Sequence, residues 1–162
     1  MQVKVDCELT GQPRAVLNAL AIRSEYLYHI LKAMEEAGID DPDSILKTAI
    51  YNVGRTWSER FGESESPAAF FHKLVGNEDM KGILQWKCVK EEDDEAEYHF
   101  YRCPLVYGWQ RMGLSAKEIE RLCQIGHQID YGNVEASGFV LDMHPGIGRG
   151  EERCELRVKR KK

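Results

Sequence analysis

A chain of 162 residues, 43% hydrophobic and 30% charged, has the length and mixture of one ordinary globular domain. Its net charge of −5 argues against general nucleic-acid binding, and no run of about 18 apolar residues exists to span a membrane. The opening Met1-Gln2-Val3-Lys4-Val5-Asp6 lacks the apolar centre of a secretion signal, so a cytoplasmic location is expected. There, five cysteines at scattered spacing read as thiols rather than disulfides.

Residues 1–12 are polar and irregular, and a flexible lead-in is expected. Residues 13–76 read as helical. Val16, Leu17, Leu20, Leu27, Ile30, Leu31 and Met34 recur at helical spacing, with Gly38 as the stop. Asp41-Pro42-Asp43-Ser44 opens a second helix, with a stripe of Ile45, Leu46, Ala49, Val53 and Trp57. Ser64-Glu65-Ser66-Pro67 opens a third, carrying Phe70, Phe71, Leu74 and Val75.

Residues 82–160 change pattern. Ile83–Val89 and Ala96–Arg102 alternate, with the acidic Glu91-Glu92-Asp93-Asp94-Glu95 between them, and predict a β-hairpin. A short helix from Leu105 to Met112 follows. Ser115 and Glu118 form a capping box for a helix from Ala116 to about Ile129, with Gly132 as its left-handed end. Phe139–Met143 and Cys154–Val158 read as two further strands. The glycines of Gly146-Ile147-Gly148-Arg149-Gly150 let the chain turn between them, since no helix follows to make a phosphate loop. The basic end, Arg157 to Lys162, reads as solvated surface, and Trp57, Trp86 and Trp109 as core. The fold class predicted is a single α+β domain over 1–162. It has N-terminal helices, then a four-stranded antiparallel sheet with two inserted helices packed on one face.

Chemistry concentrates between His99 and Tyr131, with an echo at Cys154. Helical spacing puts Cys123 and His127 at i and i+4, with Asp130 close to the same face. Cys154 shares the inward face of the last strand with Leu156 and Val158, and Cys103 ends the strand on which His99 and Tyr101 share its face. Three uses compete. Free cysteines serve as small buried hydrophobes. Cys103, Cys123 and Cys154 suit zinc or an iron-containing centre, although no Cys-x-x-Cys pair is present. Alternatively Cys123 or Cys103 acts as a nucleophile, with His127 as base and Asp130 orienting it; His99 is the other imidazole within reach. Arg149 offers a fork for a substrate carboxylate.

The segment Gly150-Glu151-Glu152-Arg153-Cys154-Glu155-Leu156-Arg157-Val158, with Cys103-Pro104 and Leu122-Cys123…Asp130-Tyr131, resembles the L-2-amino-thiazoline-4-carboxylic acid hydrolase family. Members of that family end in a Gly–acidic–x–Cys–Asp–Phe–Arg–Phe-like stretch. Glu155 and Leu156 stand here where Asp and Phe are usual. The likeness covers roughly residues 80–160. More distantly, the cysteine pattern is similar to the vinyl-reductase-type small-molecule-binding domains.

The resemblance implies a hydrolase that opens a cyclic C–N bond in a small carboxylated, sulfur-containing substrate. In that reading Cys123, Cys103, His127 and Asp130 are catalytic, and Arg149 and His99 bind substrate. The competing expectation is a non-catalytic sensor or accessory domain, whose cysteines hold a metal, a cluster or a small ligand and whose helical half makes a homodimer.

Overall fold

The computed structural model describes residues 10–161. Residues 1–9 of the expected lead-in lie outside the described residues, and Gly11 and Gln12 already belong to the first helix, α1 (Gly11–Glu36). Leu17, Ala21, Ser24, Leu27 and Leu31 form its buried stripe, whereas Ile30 is 48% exposed. No described helix is long and apolar enough to cross a membrane.

Helix α2 (Pro42–Ser58) starts as the sequence predicts, with Asp41 accepting from the Ser44 N–H and Pro42 in the first turn. Its predicted stripe is corrected by rotation. Ile45, Ala49 and Val53 are exposed, and Leu46, Gly54 and Ser58 are buried. Helix α3 (Pro67–Val75) is capped by Ser66 and buries Phe70, Phe71 and Val75.

The next element departs from the prediction. Asn77 caps a helix, α4 (Glu78–Leu84), so Ile83 and Leu84 are helical and not the start of a strand. A cap followed by Glu78 and Asp79 in the first turn favours helix over the short alternation. The hairpin is β1 (Lys87–Glu91) and β2 (Glu95–Phe100). Three helices follow rather than two: α5 (Pro104–Arg111), α6 (Ala116–Gly126) with the predicted capping box, and α7 (Gln128–Ala136). The helix expected to run through Ile129 stops at Gly126, and the chain resumes as α7 after His127. Strands β3 (Phe139–His144) and β4 (Cys154–Arg160) complete an antiparallel sheet of order β1-β2-β4-β3.

The inner face of the sheet, with Ala96, Tyr98, Leu141, Cys154, Leu156 and Val158, packs under the helices. Of the three tryptophans only Trp109 is fully buried; its indole N–H donates to the Ser24 carbonyl and ties α5 to α1. Trp57 and Trp86 are half-buried.

Gly132 does not end a helix in left-handed geometry; it lies inside α7 against α2. A Cβ there would stand 2.0 Å from the Tyr51 carbonyl oxygen, and one at Gly54 would stand 2.1 Å from that of Ile129. The two helices meet backbone to backbone, which rotates α2 away from its most apolar side. Gly132→Ala is expected to destabilise the fold by about 1–3 kcal/mol through overpacking. Gly82→Ala in α4, where an added Cβ meets nothing within 4 Å, is expected to be neutral or stabilising by about 0.5–1 kcal/mol. Urea unfolding of the two variants against the parent checks the contrast.

Candidate functional site

Four elements deliver the candidate residues to one region. Cys103 is the N-cap residue of α5, held by the extended backbone before Pro104. Cys123 lies in the last turn of α6, and Cys154 begins β4 opposite Phe100. Asp130 lies in the first turn of α7. A single 3-10 turn, Gly146–Arg149, lies over them, its Ile147 N–H directed at the Cys154 sulfur and its Gly148 N–H at that of Cys123. A Cβ on Gly148 would stand 2.3 Å from the Cys123 sulfur. Turning therefore does not fully explain the glycine-rich segment, because Gly148 must lack a side chain to sit on the thiol.

The expected stripe of Cys123, His127 and Asp130 is altered by the break at residue 127. The His127 N–H still reaches the Cys123 carbonyl, and the Asp130 N–H bonds the His127 carbonyl. The imidazole lies 5.8 Å from the Tyr131 ring, centroid to centroid, and its Nδ1 is buried without a hydrogen-bond partner.

The electrostatics follow from burial. Cys154 is buried and Cys103 and Cys123 are partly so. Burial pushes the Cys123 thiol up to about 12, helped by the charges of Cys103 and Asp130 and opposed by Arg149 and the Gly148 N–H. Burial also raises Cys103 and Cys154, each of which feels the Asp130 charge. All three are thiols at neutral pH. Asp130 is driven from an ordinary 3.8 to about 7 by burial. Burial, with the charges of Lys47 and Arg149, lowers His127 and keeps its imidazole neutral at pH 7.

Cys103, Cys123, Cys154 and Asp130 thus converge closely enough to feel one another. The three sulfurs are not gathered to ligand spacing, however. Among the described residues, the group whose donor atoms all lie within 4.8 Å of one another is Glu97, His99 and Glu155. The thiols therefore do not present a pre-formed zinc or iron centre.

Arg149 is half-exposed at the rim, 3.6 Å from Glu120, where its charge reaches both Cys123 and His127. His99 stands apart. Strand alternation ends at Phe100, the chain bends at Tyr101, and His99 is left on the outer face of the sheet beside Glu97. It does not share the face of Cys103.

Beside Asp130 lies an apolar cavity of about 30 Å³. It is walled by Phe70 and Phe71 of α3, Phe100 and Leu156 of the sheet and Val134 of α7, and part of Asp130 opens onto it. That volume holds on the order of two water molecules. Sequence reasoning missed it, because its walls come from four elements and each wall residue looks like ordinary core.

Helices over a four-stranded antiparallel sheet make a small α+β fold that recurs among solved structures. A trafficking protein particle complex subunit 3 from Naegleria fowleri, covalently bound to palmitic acid, superposes with a TM-score of 0.53 at 16% identity. The match covers 89% of this chain and 96% of that one. The phenol-responsive sensory domain of the transcription activator PoxR, with phenol, superposes with a TM-score of 0.52 at 12% identity, covering 94% and 92%. At such identities the likeness is one of fold. No curated protein matches the chain in sequence. Residues 19–158 match the family model of L-2-amino-thiazoline-4-carboxylic acid hydrolase, and the chain belongs to that family. The match begins at residue 19, so the helical half carries the family pattern as well as residues 80–160.

Asp130 makes a measurable prediction about stability. Between pH 3.8 and about 7 the folded chain holds a proton that the unfolded chain has released. Stability therefore falls as pH rises through that window, by up to ~1.4 kcal/mol per pH unit from this group. Asp130→Asn is expected to remove this part of the slope and to be more stable than the parent above pH 7. Urea midpoints at pH 5, 6, 7 and 8 check it, and parallel profiles for parent and variant would contradict the assignment.

Proposed function

We propose that the chain is a hydrolase that opens a cyclic C–N bond of a small carboxylated amidine of the 2-aminothiazoline-carboxylate kind, with Asp130 as its proton-transfer group. The observation that carries this reading is an acid titrating near neutrality beside three thiols and a neutral imidazole. A group with its pKa near ambient pH can both give and take a proton. Water adds to the amidine carbon. Asp130 gives its proton to the ring nitrogen as water adds and takes up the proton that water loses. It then repeats the exchange as the carbon–nitrogen bond breaks, so that both protons of water end on the departing nitrogen and the hydroxyl becomes the carbonyl. His127, whose imidazole is neutral, is the second base.

Arg149 supplies a fork for the substrate carboxylate at the rim, exchanging its long contact with Glu120 for a bidentate one. Cys123 is the thiol best placed to add in place of water, because the Arg149 charge and the Gly148 N–H both favour its thiolate. It can do so only after passing its proton to Asp130 or His127.

A second reading is favoured by the apolar cavity: capture of a small, weakly polar ligand without turnover. Aromatic and aliphatic walls with an acid that is neutral below about 7 form a lining suited to such a ligand. The cavity is too small for more than a fragment, so this reading needs α3 to part from the sheet.

The purified chain, incubated with L-2-amino-thiazoline-4-carboxylate, is expected to yield a product heavier by one water, followed by mass spectrometry. Asp130→Asn is expected to lower turnover by roughly 10²–10⁴-fold and to abolish an inflection near pH 7 in its pH profile. Cys123→Ser separates thiol attack, where turnover collapses, from water attack, where it survives. No ring opening across a panel of cyclic amidines would remove the hydrolase reading; a rise in melting temperature with phenol or a short fatty acid would then support the second.

A further inference from the structure

The outer face of the sheet, remote from the thiols, carries a second cluster. Two cross-strand rows run over β2, β4 and β3. One is His99, Glu155 and His144, and the other is Glu97, Arg157 and Asp142. Side chains directly opposite one another in such rows have Cβ atoms about 4.5–5.5 Å apart. Together they floor a polar depression of about 110 Å³, lined by Glu97, Asp142, His144, Glu155 and Arg157.

We propose that Glu97, His99 and Glu155 form a binding site for a divalent transition-metal ion, with His144 as a further ligand.

Three observations support this. First, one donor atom from each of Glu97, His99 and Glu155 lies within 4.8 Å of the others. Ligands about 2.0–2.2 Å from a common ion stand at most about 4.4 Å apart, so small side-chain movements close the set. Second, the carboxylates are already oriented from outside. Glu97 receives the Arg157 Nε and Nη2 on Oε2, at 3.0 and 2.8 Å, and leaves Oε1 facing the His99 Nε2 at 3.0 Å. Glu155 receives Arg153 on Oε1 at 2.9 and 2.8 Å, which leaves its second oxygen unclaimed by that arginine. Partners that hold one oxygen and aim the other are the outer shell a metal site uses. Third, Glu97 and His99 are only 13% exposed at their side chains, so a cation there would be poorly screened by solvent.

His144 borders the same depression and is held 2.7 Å from Glu151. Exchanging that partner for the ion supplies a second imidazole. Imidazole with carboxylates suits a borderline ion such as zinc, cobalt or ferrous iron, rather than the all-oxygen sites of magnesium or calcium.

Cobalt(II) is the probe, because it reports its own ligands. The untagged full chain, freed of metal with a chelator, is titrated with Co²⁺ and followed by absorption and calorimetry. One ion is expected to bind with weak visible bands and without the intense near-ultraviolet band of sulfur-to-cobalt charge transfer. His99→Ala and Glu155→Gln are each expected to weaken binding at least about tenfold, with unchanged circular dichroism. Broadening of the His99 ring signals by the bound ion gives a readout independent of the variants. The proposal is overturned if the parent takes up no Co²⁺, if His99→Ala binds as tightly as the parent, or if a sulfur charge-transfer band accompanies binding.

Discussion

The approach of α2 to α7 fixes where the acid of the candidate site lies. Ile129, Gly132 and Asn133, spaced i, i+3 and i+4, face α2, with contact close enough that neither Gly54 nor Gly132 has room for a Cβ. That seating leaves Asp130 and Val134, also four apart, on a different face, and both line the apolar cavity under α3. Tyr51, on α2, donates to Glu135 at 2.6 Å and pins the far end of α7. The rotation of α7 is therefore set by backbone contact on one side, and the position of the acid on the other side follows from it.

Once placed there, Asp130 adds its charge to an environment that burial already sets. Moving its pKa from 3.8 to about 7 corresponds to roughly 4 kcal/mol against the carboxylate form. Burial keeps the three nearby thiols neutral, an ionised Asp130 would hold them so more strongly, and ionised thiols would in turn push Asp130 higher still. The region holds few charges at neutral pH apart from Arg149 at its rim. A substrate with a carboxylate and a protonatable ring nitrogen complements it at both ends: the arginine takes the anion, and the acid supplies the proton.

What the sequence disclosed depended on how local the signal was. The starts of α2, α3 and α6 are written in Asp41-Pro42, Ser66-Pro67 and Ser115 with Glu118, and the structure places each cap there. The inward aim of Cys154 follows from strand alternation alone. The packing face of α2 was not legible, because glycines that permit backbone contact leave no hydrophobic trace. Ile83 and Leu84 alternate with their neighbours, yet a cap at Asn77 draws them into a helix. His99 was misplaced by carrying alternation through Tyr101, where the chain already bends. The convergence of Cys103, Cys123, Cys154 and Asp130 depends on three long-range packings, none of which has a signature within its own segment.

The family segment from Gly150 to Val158 can be understood in the same terms. Gly150 has a φ of 84°, a left-handed turn that favours glycine, and it launches β4 from the 3-10 turn. From there alternation assigns each residue. Cys154, Leu156 and Val158 go inward, to the thiol region and the cavity wall. Glu155 and Arg157 go outward, where Arg157 bridges Glu97 and Asp142 on the flanking strands. A one-residue slip would exchange the two sets, placing charges in the core and a cysteine in solvent. A substitution that keeps each residue's side, such as Glu for Asp at 155 or Leu for Phe at 156, preserves both faces. The pattern is thus a constraint on register, and β4 holds the dry inner chemistry and the charged outer chemistry in place with the same backbone.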